Sequence, residues 1–336
     1  KNGAELWKSD GTSAGTVMVK DIRSGGLGSS PMNLTAWGST VYFTATDGTR
    51  GVELWKSDGT AGGTVIVKDI WTGSSTSSPA NLTVFNNTLF FTANDGTTGA
   101  ELWRSDGTDA GTWLVKDIDT RANTGSNPAY LTGLNGILYF QATTLAYGAE
   151  LWRSDGTDAG TWLVKDVNAG SVGSSPAYLN AFNGALYFQY NDQVLGIELA
   201  KSDGTTAGTG VFLNVNTVTL NSSQPANFVN VGSKMYFTAA DSSTGYELWS
   251  SDGTAAGTAR FADINPGSSD SNPALLTNIN GKLFFTADNG SVGTELFMVD
   301  TTVASPGALG SPASGAAANP LGAAARRAAR KAHRQG

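Results

Sequence analysis

The residues best equipped for chemistry in this chain are carboxylates, and they recur. Glu5, Glu53, Glu101, Glu150, Glu198, Glu247 and Glu295 stand 48 or 49 residues apart. Asp10, Asp58, Asp106, Asp155, Asp203 and Asp252 follow the first six of them, five residues later each time. A pair of carboxylates works as general acid and base when unlike environments push their pKa values apart. Equivalent positions of a repeat receive like environments, so this series argues against catalysis. Ca²⁺ takes about six to eight oxygen ligands, and one Asp per turn offers too few. The chain has no Cys and one His, His333, near its end. Thiolate metal sites and a His-based dyad in the folded body are thereby excluded. Arg104 and Arg153 stand where other repeats carry Lys8, Lys56 and Lys201, so they read as structural. Arg23, Arg50, Arg121 and Arg260 are scattered over the repeats and form no anion clamp. The chain reads as a protein that is not an enzyme. A glycosidase- or lyase-type enzyme on the same scaffold is the alternative.

The elements that must carry these residues are short. Residues 33–37, 41–45, 52–56 and 64–68 are strand-like runs, here termed a, b, c and d. Each is rich in β-branched or aromatic residues and bounded by Gly, Asn or Asp. A Ser/Gly/Pro loop follows d, marked in every period by Pro31, Pro79, Pro128, Pro176, Pro225 or Pro273. Four strands in about 48 residues is the size of one propeller blade. The fold class is therefore all-β, a β-propeller of four-stranded blades over residues 1–300. There are six a–b pairs, six c–d pairs and a surplus strand c at 295–299. That count predicts six blades, closed by pairing of the N-terminal c–d strands with the C-terminal a–b pair. Closure of that kind hides sheet edges. The alternative is that further blades preceded residue 1. The chain opens at Lys1 inside a repeat, so it reads as processed or as part of a longer one. Residues 301–322 form a Pro/Ala/Gly/Ser linker. Residues 323–336 form a basic tail, expected to be disordered, with Arg326, Arg327, Arg330, Lys331 and Arg334.

The run from Glu53 through Leu54, Trp55, Lys56, Ser57, Asp58, Gly59 and Thr60 to Gly63 and Thr64 resembles the ELWxxDGT repeat family. These are bacterial, mostly secreted or surface proteins. The resemblance recurs six times and covers about residues 1–300. It implies a repeat array and an extracytoplasmic setting, and it implies no established enzymatic activity. Ala200 replaces Trp in the fifth copy, and Asp300, Thr301 and Thr302 replace the last Asp-Gly-Thr.

Each repeated residue also has a purely structural reading. Gly after Asp permits positive φ, and Asp bonds its own backbone two residues on, which suits a c–d hairpin. Trp7, Trp55, Trp103, Trp152 and Trp249 lie on strand c and are expected to pack between sheets. The interface around Ala200 is then the least well packed. The repeated Glu shares the face of that Trp. Lys20, Lys68, Lys116 and Lys165 are its obvious partners, yet Glu198 and Glu247 persist where Asn214 and Ala262 replace that Lys. Backbone amides of a loop are the expected donors instead.

By analogy with propellers, the d–a and b–c loops share the face where ligands bind. The variable residues concentrate there. The ligand-binding candidates are Asp47, Asp95, Tyr147, Asp192, Asp241 and Asp288, with Arg23, Trp71 and Arg121 in the d–a loops. A glycan or a protein is the expected ligand. No cofactor is assigned; Ca²⁺ is the one ion the loop carboxylates would attract. Net charge is −7, and outside the five tail cations 16 basic residues face 28 acidic ones. That balance excludes nucleic acid as partner. No apolar run is long enough to span a membrane as a helix. The reading is a monomeric, secreted or cell-surface binding or adhesion module, with a purely structural scaffold array as the alternative.

Overall fold

The computed structural model describes residues 2–218 and 221–300. The linker and basic tail expected at 301–336 lie outside the described residues. Among these residues there is no helix, and 25 strands form seven antiparallel sheets. The first sheet holds β1 (Leu6–Lys8) and β2 (Val17–Lys20). The second holds β3 (Met32–Trp37), β4 (Thr40–Ala45), β5 (Glu53–Ser57) and β6 (Val65–Lys68). Sheet three runs β7 (Ala80–Phe85), β8 (Thr88–Asn94), β9 (Ala100–Ser105), β10 (Thr112–Lys116). Sheet four runs β11 (Ala129–Leu134), β12 (Ile137–Thr144), β13 (Gly148–Ser154), β14 (Trp162–Lys165). Sheet five runs β15 (Ala177–Phe182), β16 (Ala185–Asn191), β17 (Ile197–Ser202), β18 (Gly210–Leu213). Sheet six runs β19 (Ala226–Val231), β20 (Lys234–Asp241), β21 (Gly245–Ser251), β22 (Ala259–Ala262). The last sheet has three strands, β23 (Ala274–Ile279), β24 (Lys282–Asp288) and β25 (Thr294–Asp300). The a-b-c-d order expected from the repeat is the hydrogen-bonded order in all five complete sheets.

The end sheets differ from expectation. The free edge of β24 is filled by β25, and β1 pairs only with β2. Pairing of the N-terminal strands with the C-terminal a–b pair is therefore not the arrangement present. The physical reason is proximity. β25 follows β24 after a five-residue turn (289–293), and a short loop closes at far lower entropic cost than one spanning the whole chain.

The core lies between the sheets. Each of six clusters joins the strand-c Leu face of one sheet to the strand-b and strand-c aromatics of the next. Tyr42, Leu54 and Val67 of sheet two meet Leu89, Phe91, Ala93 and Trp103 of sheet three, for example. Trp55, Trp103, Trp152 and Trp249 are buried there as expected. Trp7 is 57% exposed, because each buried Trp packs against the preceding sheet and no described sheet precedes the first. The interface at Ala200 corrects another expectation. Strand b carries Ala45, Ala93, Ala142, Ala239 and Ala287 at one position and Tyr190 in sheet five. Tyr190 packs with Phe188 and Ala200 in the same cluster and fills the volume that Trp fills elsewhere. Ala200 is fully buried within this cluster, and a larger residue on strand b accompanies the smaller one on strand c.

Turn chemistry fixes the registers. Asn135 and Gly136, Asn183 and Gly184, and Asn280 and Gly281 all have positive φ, the two-residue hairpin geometry that matches strand twist.

Candidate functional site

The repeated polar residues can be followed to their partners, and nearly all serve the array. Asp58 Oδ1 accepts the Thr60 N–H and Oγ1–H; Thr60 Oγ1 accepts the Gly63 N–H; Ser57 and Thr64 share a hydroxyl bond. A Cβ on Gly63 would stand about 2.1 Å from the Asp58 carboxylate, so this second Gly is sterically required. The same network recurs at Asp10, Asp106, Asp155, Asp203 and Asp252. The Thr hydroxyl, then the Thr amide, hold these carboxyls below the usual range.

The cations reach across to the next sheet. Lys8, Lys56, Arg104 and Arg153 donate to the carbonyls of Gly59, Gly107, Gly156 and Gly204 in the following c–d turn. Arg104 and Arg153 also lie over the rings of Trp113 and Trp162. Lys20 and Lys165 donate to Thr64 and Thr209 carbonyls, and Lys68 and Lys116 reach Asp109 and Asp158. None of these lysines pairs with the repeated Glu.

Each of the first six repeated Glu is instead a latch for the d–a loop, as expected, whereas Glu295 at the last sheet is exposed. Glu53 accepts the Ile70 and Ser77 N–H groups and the Ser77 hydroxyl. Glu198 does the same with Val215, Asn216 and Ser223, and Glu247 with Ile264 and Ser271. Burial raises the carboxyls of Glu53, Glu101, Glu198 and Glu247, and takes Glu150 to about 7, against the pull of those donors. The buried Ser two residues before each Pro, Ser29 to Ser271, is the partner that sequence reasoning missed. Its recurrence ahead of every Pro was the available signal. The latch ties strand c to the loop that launches the next strand a.

That strand a carries the candidate site. The b–c turn of each sheet donates an N–H to the carbonyl of the latch Ser, as from Thr46 to Ser29 at 3.1 Å and from Asn191 to Ser174 at 2.8 Å. The start of strand a, the d–a loop and the b–c turn therefore share one end of the sheets. A cavity of about 500 Å³ lies against the first half of the strands a. It is lined by Asn33 to Thr35, Asn81 to Thr83, Tyr130 to Thr132, and Tyr178 with Leu179. These are the same positions of β3, β7, β11 and β15, strands that pack against one another in sequence. No charged side chain is in the lining.

The second residue of each strand a is at a bulge, with φ of 55 to 57° at Asn33, Asn81, Tyr130, Tyr178, Asn227 and Leu275. Asn tolerates this left-handed conformation, whereas a bulky residue there costs about 1 kcal/mol. Asn33 and Asn81 use their amides to bond the Pro79 and Pro128 carbonyls of the next sheet. In sheet four the task passes to another residue. Gln141 stands where other sheets have Thr44, Thr92, Thr238 or Thr286, and its Nε2 donates to Pro176 at 2.9 Å. Gln189 stands at the same place in sheet five. Tyr130 and Tyr178 make no side-chain hydrogen bond to the next sheet, and in sheet four Gln141 makes that bond instead. They are 38% and 43% exposed, their ring centroids are 5.5 Å apart and their planes are tilted by 50°. Among the described residues no protein group bonds either phenol oxygen. Partial burial, then the neighbouring Tyr178, raises the Tyr130 phenol, which is therefore neutral at neutral pH. Tyr246, close by, is engaged by Thr238 and the Gln224 carbonyl.

The loop candidates are distributed differently. Asp47, Asp95, Asp192, Asp241 and Asp288 each lie in the b–c turn of a different sheet and accept N–H groups of that turn. Burial opposes it, yet the turn's own donors together hold Asp47, Asp95 and Asp241 below the usual range. Tyr147 caps its turn through its N–H to Thr144 Oγ1. Among the described residues no three His, Asp or Glu side chains are grouped to hold a metal ion, and no helix is long and apolar enough to cross a membrane. The structure thus groups strand-a residues rather than the loop acids.

No protein-family model matches this chain, and no curated protein does. Solved structures do. A chain described in work on two prolyl endopeptidases is 11% identical, with a TM-score of 0.51, over 82% of this chain and 40% of that one. The computationally designed Ika8 protein is 15% identical, with a TM-score of 0.49, over 86% of this chain and 75% of that one. Puromycin hydrolase, as an S511A mutant complexed with PGG, is 14% identical with a TM-score of 0.49. The match spans 86% of this chain and 47% of that enzyme. At these identities the likeness concerns the fold alone, a propeller-like succession of blade-like sheets.

Proposed function

We propose that this chain is a non-catalytic binding module whose ligand sits in the cavity at the starts of β3, β7, β11 and β15. One observation carries the reading. Tyr130 and Tyr178 occupy strained positions, half-exposed, with phenol hydroxyls that no described group bonds, while Gln141 makes the inter-sheet hydrogen bond of sheet four. Strained backbone at residues whose polar atoms the array leaves unengaged points to a functional position. The ligand is a carbohydrate or a protein segment, and a secreted or cell-surface setting follows the ELWxxDGT resemblance. The reading needs neither cofactor nor turnover, since the cavity lining offers no acid, base or nucleophile stronger than a neutral phenol.

A second reading is a structural array with no specific ligand. It is favoured by how completely the Asp, Glu, Lys and Arg of the repeat are engaged within the array. A combined glycan and peptide array decides between them. Retention of some ligand by the wild-type chain, with reduced retention by Tyr178→Asn, supports the module. Empty arrays, or ligands held equally by both, support the scaffold. Hydrolysis assays on retained ligands are expected to show no turnover.

A further inference from the structure

We infer that the cavity takes a neutral saccharide, seated against Tyr130 and Tyr178. The inference rests on the binding reading above and narrows it to one ligand class. The lining is the chemical complement of a sugar. Leu34, Leu82, Leu131 and Leu179 with the two Tyr rings supply apolar surface for C–H faces. Two phenol hydroxyls without protein partners supply donors and acceptors for ring hydroxyls, and the Asn33 and Asn81 side-chain carbonyls supply acceptors; the Thr35, Thr83 and Thr132 hydroxyls already donate to backbone carbonyls and offer only their lone pairs. The Asn amide nitrogens are already bound to the Pro79 and Pro128 carbonyls, which fixes the direction in which each Oδ1 is offered.

Charge selects within that class. No lining residue is charged, and the chain outside its tail carries many more acidic than basic residues. A uronate or sulfated sugar would bring an anion into an uncharged cavity of an acidic protein, with nothing to pair it. Shape fits that class as well. The Tyr130 and Tyr178 rings touch, with centroids 5.5 Å apart, and so present one joined apolar surface against which the C–H face of a sugar can lie. A volume of about 500 Å³ lies in the range of small-molecule sites and suits a short oligosaccharide or a chain end.

Calorimetric titration of the full chain tests this with cellotriose, xylotriose, maltotriose, chitotriose and, as the acidic counterpart, trigalacturonate. At least one neutral trisaccharide is expected to bind and trigalacturonate is not. The double variant Tyr130→Asn/Tyr178→Asn restores the residue of other sheets at a position Asn prefers. Relief of backbone strain then offsets the lost ring contact, so the variant is expected to melt close to wild type and to bind the same trisaccharide about tenfold or more weakly. Tyr178→Phe keeps the ring and is expected to lose less. Three results overturn the inference: no neutral trisaccharide binds, trigalacturonate binds as tightly, or the double variant binds as well as wild type. If no sugar binds but an array peptide does, and the double variant loses it, the saccharide class falls and the binding module stands. If neither class binds, both fall.

Discussion

The c–d turn and the start of strand a sit in every complete sheet, yet they behave in opposite ways. At the turn, Ser, Asp, Gly, Thr, Gly and Thr are the same residues bonded the same way each time. At the second position of strand a the backbone is constant to within a few degrees, but the side chain is Asn, Asn, Tyr, Tyr, Asn and Leu. Where the array needs a residue, the repeat keeps it and its polar atoms are engaged internally. Where the backbone is held by other groups, the residue is open to selection for something else. In this chain the residues kept between repeats are those whose polar atoms or rings serve the array, and departures mark either a compensated packing change, as at Ala200 and Tyr190, or a position whose polar atoms the array leaves free, as at Tyr130 and Tyr178.

The comparison breaks most visibly if a repeated residue proves dispensable. Trp103→Ala removes the main aromatic between sheets two and three and is expected to cost about 3–5 kcal/mol, read as a clear fall in melting temperature. An unchanged melt would remove Trp from the core. Tyr190→Ala is expected to cost about 3 kcal/mol, because it leaves the space beside Ala200 empty. Tyr190→Ala combined with Ala200→Trp recreates the arrangement of the other sheets and should recover most of that loss. Failure of the rescue would mean that Tyr190 is not the compensating residue.

The latches and the turns oppose each other in pH. Glu53, Glu101, Glu150, Glu198 and Glu247 have carboxyls raised by burial, so the folded state holds their protons more tightly than the unfolded chain. Their contribution is full below about pH 4.5 and is lost as pH rises through the folded values, reaching about 7 for Glu150. For Glu150 alone that difference is about 3 kcal/mol. The turn Asp carboxyls are lowered, so their contribution is present above about pH 4 and is lost as pH falls below it. The melting temperature is therefore expected to be higher at pH 5 than at pH 8 and to fall again below pH 4. A higher value at pH 8 than at pH 5 would contradict the buried latches. The smallest effect on stability belongs to Tyr178→Asn, within about 1 kcal/mol of wild type, because relief of left-handed strain offsets the lost ring contact with Tyr130.

Much of this was legible in the amino-acid sequence, for a physical reason. Strand order, the Asp-Gly-Thr turn, the Trp interface and amide donors to Glu all follow from local patterns repeated six times. Ring closure did not follow, since composition cannot tell whether β1 or β25 takes the edge of β24. Tyr190 was overlooked because a compensating pair is visible only once Ala200 and Tyr190 are known to share one interface. The loop acids drew attention by their charge, but each serves its own turn. The strand-a site was hidden because Tyr130 and Tyr178 read as ordinary strand residues until their positive φ and the Gln141 bond were seen together.

The central claim is that departures from the repeat at strand a form the ligand site. Amide chemical-shift mapping during titration with the neutral trisaccharides tests it most directly. The account predicts perturbations concentrated at 81–83, 130–132 and 178–179. Perturbations spread evenly over the c–d turns, or confined to the b–c turn acids, would contradict it.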